Sequence, residues 1–361
     1  MSSDAVIVFA GPSLAGTDAA EESAFFVPHG PAAQGDVLRA ALLSPRAIVV
    51  IDGYFEHVPS VYHKEILWAL HQGIPVYGAA STGALRAAEL SSFGMIGIGA
   101  VFDAYASGNL VRDDAVALVH APAEMGYAPL SEPFVNLRWT LEAARSDEII
   151  SNPVAARVLE RCAALHYPDR SLDRLVAECR AIDPATAERL VAWLPDGRVN
   201  IKTRDAVACL ERVKQDCEAD TLPAPPSFTF HHTDAFESLM HEVLSDPAPA
   251  DPLILDRLEA AAPDLVADMR DRAIADELAL ALDRSGARPV NPADLARQVT
   301  EFRTRHGLFD PQTLQGWLTS RGLDIDALSK HLEDRARIER ARSSVEPTIS
   351  DRMRRSRLVD D

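Results

Sequence analysis

Ser81 stands where a short apolar run gives way to a helical pattern, which is a position where serine can do chemistry. Residues 79–83 (AASTG) are close to the nucleophile-elbow pattern G-x-S-x-G, with alanine in place of the first glycine. On such a turn the hydroxyl points into a crevice, and the first N–H groups of the next helix can stabilise an oxyanion. The alternative is that Ser81 is only a helix N-cap, a role that serine often fills.

Lys64 is the candidate base for this serine. The chain has 36 basic residues, and only four of them are lysine: Lys64, Lys202, Lys214 and Lys330. Lys64 lies near the start of a predicted helix, where the helix dipole and partial burial both favour the neutral amine. A neutral lysine can activate a serine, whereas arginine keeps its proton. The alternative is a solvated lysine that pairs with Glu65.

Other polar residues near this pair are candidates for supporting roles. Asp52 ends a predicted strand and either holds the lysine or caps a helix; the sequence does not decide between the two. Arg86 either pairs with Glu89, three residues further along the helix, or binds an anionic group near the serine. His63 adjoins the lysine on a different helix face and, taken alone, is more typical of a structural histidine.

The sequence contains none of the common metal or nucleotide motifs. It has no HxxxH or HExxH spacing, so we expect no zinc hydrolase and no bound metal. The turn at 11–13 (GPS) matches neither G-x-G-x-x-G nor GxxxxGK[ST], so we expect no nucleotide cofactor. The cysteines form no CxxC pair, and we expect free thiols in a reducing cytosol. They are Cys162, Cys179, Cys209 and Cys217.

Short Val- and Ile-rich runs alternate with helical patterns over roughly the first 140 residues. This alternation predicts an α/β fold, a mostly parallel sheet flanked by helices. The predicted strands are 5–9, 24–27, 47–51 and 75–78, with a further candidate at 115–120. The predicted helices are 36–43, 62–72 and 82–91. A ligand crevice is expected beyond the carboxyl ends of the strands, at 11–13, 52–55 and 79–83.

The later chain turns helical and predicts a division into regions. We expect an α/β core with appended helices over 1–217, a proline-rich linker over 218–228, and a helical C-terminal region over 229–361. The helical region is predicted either to bind a partner or peptide or to serve as a packing module.

Composition narrows the function classes. The net charge of −18 disfavours nucleic acid and anionic membrane as partners. No apolar run approaches the roughly 20 residues of a spanning helix, and the first residues lack a basic signal-peptide region, so we expect a cytoplasmic protein.

Several contiguous segments resemble the TfuA family, over roughly residues 4–140. They are 11–14 (GPSL), the stretch from Pro31 to Gly35-Asp36, 51–55 (IDGYF), Val61 with 63–67 (HKEIL), and 83–90 (GALRAAEL) followed by 93–95 (FGM). The family pattern reads GASSMGALRAAEL. This chain has Ala80 in place of the first serine and Thr82 in place of the methionine, but it keeps the second serine as Ser81.

The resemblance implies a function and a set of site residues. TfuA proteins are encoded beside YcaO enzymes and are implicated in backbone thioamidation of ribosomally made peptides. The family is thought to hydrolyse the C-terminal thiocarboxylate of a ThiS-like sulfur carrier with a serine–lysine pair. That implies Ser81 as nucleophile and Lys64 as base, with no metal or cofactor. The supporting residues would be Thr82 and Gly83 at the oxyanion, with Ser13, Asp52, His63 and Arg86 around them.

A second reading belongs to a different class. A non-catalytic adaptor would recruit the carrier, and a precursor peptide, to a YcaO enzyme. The departure at Ala80 keeps this alternative open. The sequence names neither the modified peptide nor the oligomeric state.

Overall fold

The computed structural model describes residues 5–21, 23–55, 58–245, 263–286, 289–320 and 323–357. The chain divides into two compact units, Met1–Phe236 and Glu237–Asp361. The sequence-based boundaries after 217 and before 229 remain predictions.

The first unit is built on five parallel strands. They are β1 (Val6–Phe9), β2 (Phe26–His29), β3 (Ala47–Val50), β4 (Val76–Ala79) and β5 (Ile96–Ile98). Their order across the sheet is β2-β1-β3-β4-β5, and all neighbours run parallel. The predicted α/β class is therefore confirmed. The strands β1, β3 and β4 are neighbours at the centre, so the loops that follow them meet at one edge.

Helices connect the strands and then continue beyond the sheet. The first four are α1 (Asp36–Leu42), α2 (His63–His71), α3 (Thr82–Leu90) and α4 (Ala100–Ala106). The next five are α5 (Phe134–Ser146), α6 (Asn152–Ala163), α7 (Leu172–Arg180), α8 (Pro184–Gly197) and α9 (Ile201–Glu218). Helix α9 returns to the sheet, where Cys209 and Val213 join the core formed by Val49 and Tyr77. This packing places the middle of α9 in the first unit's core.

Two local predictions differ from the structure. Residues 115–120 are not a strand: a 3-10 turn covers Asp113–Ala115, and only an isolated bridge pairs His120 with Pro129. Strand β5 was not predicted, because it is three residues long and its centre is Gly97, which has low strand propensity. A side chain at this glycine would collide with the ring of Phe102, 2.0 Å from the position of a Cβ atom.

The second unit is helical, as predicted for the C-terminal region. Helix α10 (Asp234–Ser245) begins in the first unit and continues into the second. It is followed by α11 (Pro263–Ser285), α12 (Pro292–His306), α13 (Pro311–Ser320) and α14 (Ile325–Arg357). A small core joins α12, α13 and α14 through Phe302, Leu318 and Leu332. Over the described residues, none of the helices combines the length and the apolar character needed to cross a membrane.

The first turn of α3 lies directly on the backbone of the sheet, and this predicts a large effect of one substitution. A Cβ atom on Gly83 would lie 1.7 Å from the Val50 carbonyl oxygen. Gly83→Ala should therefore destabilise the first unit by several kcal/mol, since backbone cannot yield as a flexible side chain does. The matched control is Gly316→Ala in α13, where no atom lies within 4 Å. Thermal unfolding followed by circular dichroism measures both; equal stability of the two variants would contradict the close approach.

Candidate functional site

The candidate site is the edge of the sheet where β1, β3 and β4 end. The turn at 11–13 follows β1, Asp52 and Gly53 follow β3, and Ser81 follows β4. Two contacts tie the loop after β3 to the turn after β4. The side chain of Thr82 lies 3.2 Å from the Cβ position of Gly53, and the Gly83 N–H donates to the Ile51 carbonyl at 3.2 Å. These two loops therefore lie against each other at the edge where the sequence predicts a crevice.

The turn between β4 and α3 has the strained backbone of an elbow, but the strain falls one residue before Ser81. Ala80 has φ 63°, a left-handed conformation that non-glycine residues rarely adopt. Ser81 itself has φ −128° and is 5 % exposed. Left-handed residues held by their surroundings concentrate at functional sites. The elbow position of this turn is therefore occupied by alanine.

Ser81 occupies the N-cap position of α3 without acting as a cap. Its side chain makes no capping hydrogen bond. Its carbonyl accepts from the N–H groups of Ala84 and Leu85, as the first helical turn requires. Within the described part of the chain, the Thr82 N–H forms no hydrogen bond either. A nearly buried hydroxyl and a free N–H at a helix N-terminus leave this turn able to bind an electron-rich group.

Gly83 does not match its expected role. The expectation was that its N–H would line an oxyanion hole together with the N–H of Thr82. Instead, the Gly83 N–H donates to Ile51, because α3 is drawn onto the end of β3 where only glycine fits. This amide is used by the fold, so of the two expected donors only the Thr82 N–H remains a candidate for oxyanion binding.

Lys64 lies in the first turn of α2 and is bonded away from Ser81. Its ammonium donates to the main-chain carbonyl of His231 at 2.7 Å. It also lies 4.7 Å from the ring centroid of Phe230. Among the described residues, no hydrogen bond joins Lys64 to Ser81, and the ion pair with Glu65, which was the alternative for this lysine, does not form either. The pairing of the two proposed catalytic side chains therefore remains a prediction.

Arg86 and His63 are held by one carboxylate. The Glu89 Oε2 atom accepts from Arg86 at 2.6 Å and lies 2.8 Å from His63 Nε2. The Arg86 Nε atom also donates to the Val61 carbonyl at 3.1 Å. The sequence left two roles open for Arg86, pairing with Glu89 or binding an anionic group. The structure contains the pairing with Glu89. This cluster joins the start of α2 to α3.

Asp52 and Ser13 form the tightest polar contact at the edge. One Asp52 oxygen accepts from the N–H groups of Gly11 and Ser13, each at 2.9 Å. The other accepts from the Ser13 hydroxyl at 2.7 Å. Asp52 thus holds the loop after β1. It does not hold Lys64, whose ammonium is bonded to the His231 carbonyl. All of these groups are buried.

The lysine that does reach Asp52 is Lys202, in the first turn of α9. Its Nζ atom lies 3.5 Å from Asp52 Oδ1 and donates to the Val116 carbonyl at 2.9 Å. Lys202 is only 2 % exposed. Burial lowers the pKa of Lys202, and the nearby Asp52 carboxylate opposes that shift.

A small cavity lies beside this ion pair. Its lining includes Ser13, Glu132, Asn136, Arg198, Asn200 and Lys202. The Asn136 side chain accepts from the Lys202 N–H at 3.3 Å and donates to Glu132 at 2.7 Å. Sequence reasoning missed Lys202 as a site residue. The scarcity of lysine was the available signal, but it applied equally to all four lysines and did not show which one is buried.

Glu65, next to Lys64, is fully buried and links α2 to α1. Its carboxylate accepts from the Tyr62 N–H at 2.8 Å and from the Leu38 N–H at 3.2 Å. Burial raises its pKa from 4.5 to about 7, although these two hydrogen bonds act in the opposite direction. The helix that carries Lys64 is therefore anchored by a carboxyl group that titrates near neutral pH.

Fold and site together define an α/β protein with a polar site at the carboxyl edge of a parallel sheet. Residues 52–171 match the sequence model of the family described as TfuA-like protein. Over this region the match confirms the resemblance to the TfuA family that the sequence motifs indicated. The matched region contains Asp52, Lys64 and Ser81, whereas Ser13 and Lys202 lie outside it. No curated protein matches the chain.

The buried ion pair predicts strongly unequal effects of single and double substitutions. Lys202→Met leaves the Asp52 charge without its partner and should lower the free energy of unfolding by about 3–5 kcal/mol. Combining it with Asp52→Asn removes both charges, so the double variant should be more stable than Lys202→Met alone. Denaturant unfolding measures the free energy of unfolding of each variant. Lys214→Met, on the same helix, is the control. Additive losses would mean that the two charges do not interact.

Glu65 predicts a pH dependence of stability. Because its pKa is raised on folding, the folded chain keeps this proton over a range where the unfolded chain has lost it. Its contribution to the free energy of unfolding is present below about pH 4.5 and is lost as the pH rises to about 7. Glu65→Gln should flatten this part of the profile, whereas exposed Glu160→Gln should leave it unchanged. Identical profiles for wild type and Glu65→Gln would show that this carboxyl does not titrate as described.

Proposed function

We propose that this protein hydrolyses the C-terminal thiocarboxylate of a ThiS-like sulfur carrier, and that the sulfide supports a YcaO enzyme in peptide thioamidation. The reaction class and the two partners are those that the resemblance to the TfuA family implies. The observation that carries the proposal is the turn after β4, where the Ser81 hydroxyl is nearly buried, makes no capping bond and adjoins a free N–H at a helix N-terminus.

In the proposed reaction, Ser81 is the nucleophile and the neutral amine of Lys64 is the base. The amine takes the hydroxyl proton, and Oγ bonds to the thiocarboxylate carbon. The Thr82 N–H stabilises the oxyanion. The Lys64 ammonium then returns the proton to sulfur, the C–S bond breaks and hydrosulfide leaves with the electron pair, so the amine is neutral again. Water hydrolyses the resulting ester, which restores the serine and leaves a carboxylate on the carrier.

The base must leave its contacts before it can act. In the structure Lys64 donates to a carbonyl and faces an aromatic ring, two contacts that suit the protonated amine. Ser81 and Lys64 both lie at the N-termini of neighbouring helices, α3 and α2, which pack against each other. Rotation of the long lysine side chain is the change that the proposed reaction requires.

Substitution of either catalytic residue tests the reaction. Ser81→Ala and Lys64→Arg should each slow carrier hydrolysis by about 10²-fold or more, because they remove the nucleophile and the group that can lose a proton. The measurement is the carrier mass, which changes when sulfur is replaced by oxygen. Ser91→Ala and Lys330→Arg are the matched controls on exposed positions. An active Lys64→Arg variant would move Lys64 from base to anion binding.

One observation favours the adaptor as a second candidate. The strained residue of the turn is Ala80, at the position where the family pattern has its first serine. If that position presents the nucleophile, this chain lacks it and serves only to recruit carrier and peptide. In that case the wild type should be inactive towards the thiocarboxylated carrier, and Ala80→Ser should gain hydrolysis. An active wild type that loses activity in Ser81→Ala would exclude this candidate.

A further inference from the structure

An extended segment of the chain covers the outer side of α2. This aromatic segment, residues 226–233, has neither helix nor strand structure and leads into α10. Pro226 packs on the backbone of Gly94, its Cδ atom 2.2 Å from the Cβ position of that glycine. Phe228 contacts Phe93 and His71, with ring centroids 5.4 and 5.9 Å apart. The segment is therefore attached along its length and does not behave as a free linker.

Phe230 is the centre of these contacts. Its ring lies 5.5 Å from Trp68 and stacks on His71 at 5.7 Å. It also contacts His232 at 5.3 Å and the fully buried Phe236 at 5.0 Å. Aromatic pairs of this kind contribute beyond the area that they bury. Trp68 is 2 % exposed, so the segment closes over an apolar surface of α2.

The same segment holds Lys64. The ammonium lies against the face of Phe230 at 4.7 Å and donates to the carbonyl of His231 at 2.7 Å. Of the four lysines, Lys64 is the one whose charge is bound by this segment. Lys202 is buried beside Asp52 and Lys330 is exposed in the second unit. The Lys64 ammonium lies between a ring face and a carbonyl, so both contacts must break before the amine can react.

We infer that the aromatic segment is a removable cover that keeps Lys64 out of the reaction, with Phe230 as its positioning residue. The inference rests on the proposed function, because it assigns the cover to the proposed base. While the segment is seated, the amine stays on His231 and Ser81 has no base. When the segment leaves α2, the carbonyl and the ring leave with it, and Lys64 is free to turn towards the neighbouring helix α3.

The test uses the full chain and reads the reactivity of Lys64 separately from hydrolysis. An N-hydroxysuccinimide acetate reagent acylates accessible neutral amines, and peptide mass spectrometry gives the rate at each lysine. Phe230→Ala removes the ring that seats the segment, and Phe228→Ala weakens the seating without touching Lys64. Lys330 provides an exposed reference within every sample. Phe309→Ala, an exposed phenylalanine of the second unit, is the matched control.

The inference predicts that Lys64 of the wild type reacts more slowly than Lys330. Phe230→Ala should raise the Lys64 rate by about tenfold, the scale of one cation–π contact with one hydrogen bond. Phe228→Ala should raise it less, and Phe309→Ala should not change it. Carrier hydrolysis should increase in the same order. Fast labelling of Lys64 in the wild type, or no change in Phe230→Ala with the fold intact by circular dichroism, would overturn the inference.

Failure of the inference and failure of the proposed function give different results. If labelling of Lys64 rises in Phe230→Ala while no variant hydrolyses the carrier, the cover is supported and the hydrolase is not. If the wild type hydrolyses the carrier and Phe230→Ala changes neither labelling nor rate, the cover is overturned and the hydrolase stands.

Discussion

The buried carboxylate of Asp52 is the constraint on which the rest of the site depends. A charge at the end of β3 is costly to bury unless it is paired and hydrogen-bonded. The turn after β1 supplies two N–H groups and the Ser13 hydroxyl, and α9 supplies Lys202. These partners come from parts of the chain about 40 and 150 residues away, so satisfying one carboxylate fixes three elements at the edge of the sheet.

The absence of a side chain at Gly83 is the second constraint on this edge. Because Gly83 has no Cβ atom, α3 approaches the end of β3 closely enough to donate a hydrogen bond to Ile51. This approach forces a sharp turn after β4, and the left-handed backbone of Ala80 absorbs it. Ser81 is left at the helix N-terminus with its hydroxyl uncommitted. The strain and the free hydroxyl therefore have the same origin, the close contact between helix and sheet.

The two lysines of the first unit's polar regions have different physical roles. Lys202 is enclosed and neutralises Asp52, so its contribution is to hold the edge together. Lys64 is on the outer side of α2, where its partners are a carbonyl and a ring from one extended segment. Partners that belong to a single extended segment can leave together, whereas those of Lys202 belong to the core. This difference fits the reactive role proposed for Lys64 and a structural role for Lys202.

The sequence by itself determined the alternation of buried strands and helices, the location of the polar loops at strand ends, and the resemblance to the TfuA family. These are local patterns, since apolar periodicity and contiguous motifs need no knowledge of distant residues. Only the tertiary structure decided which lysine meets Asp52, that the Gly83 amide is used by the fold, and that Lys64 faces Phe230. Each of these depends on pairing residues far apart in the chain, and burial of a charge is settled by what packs around it, which spacing along the sequence does not specify.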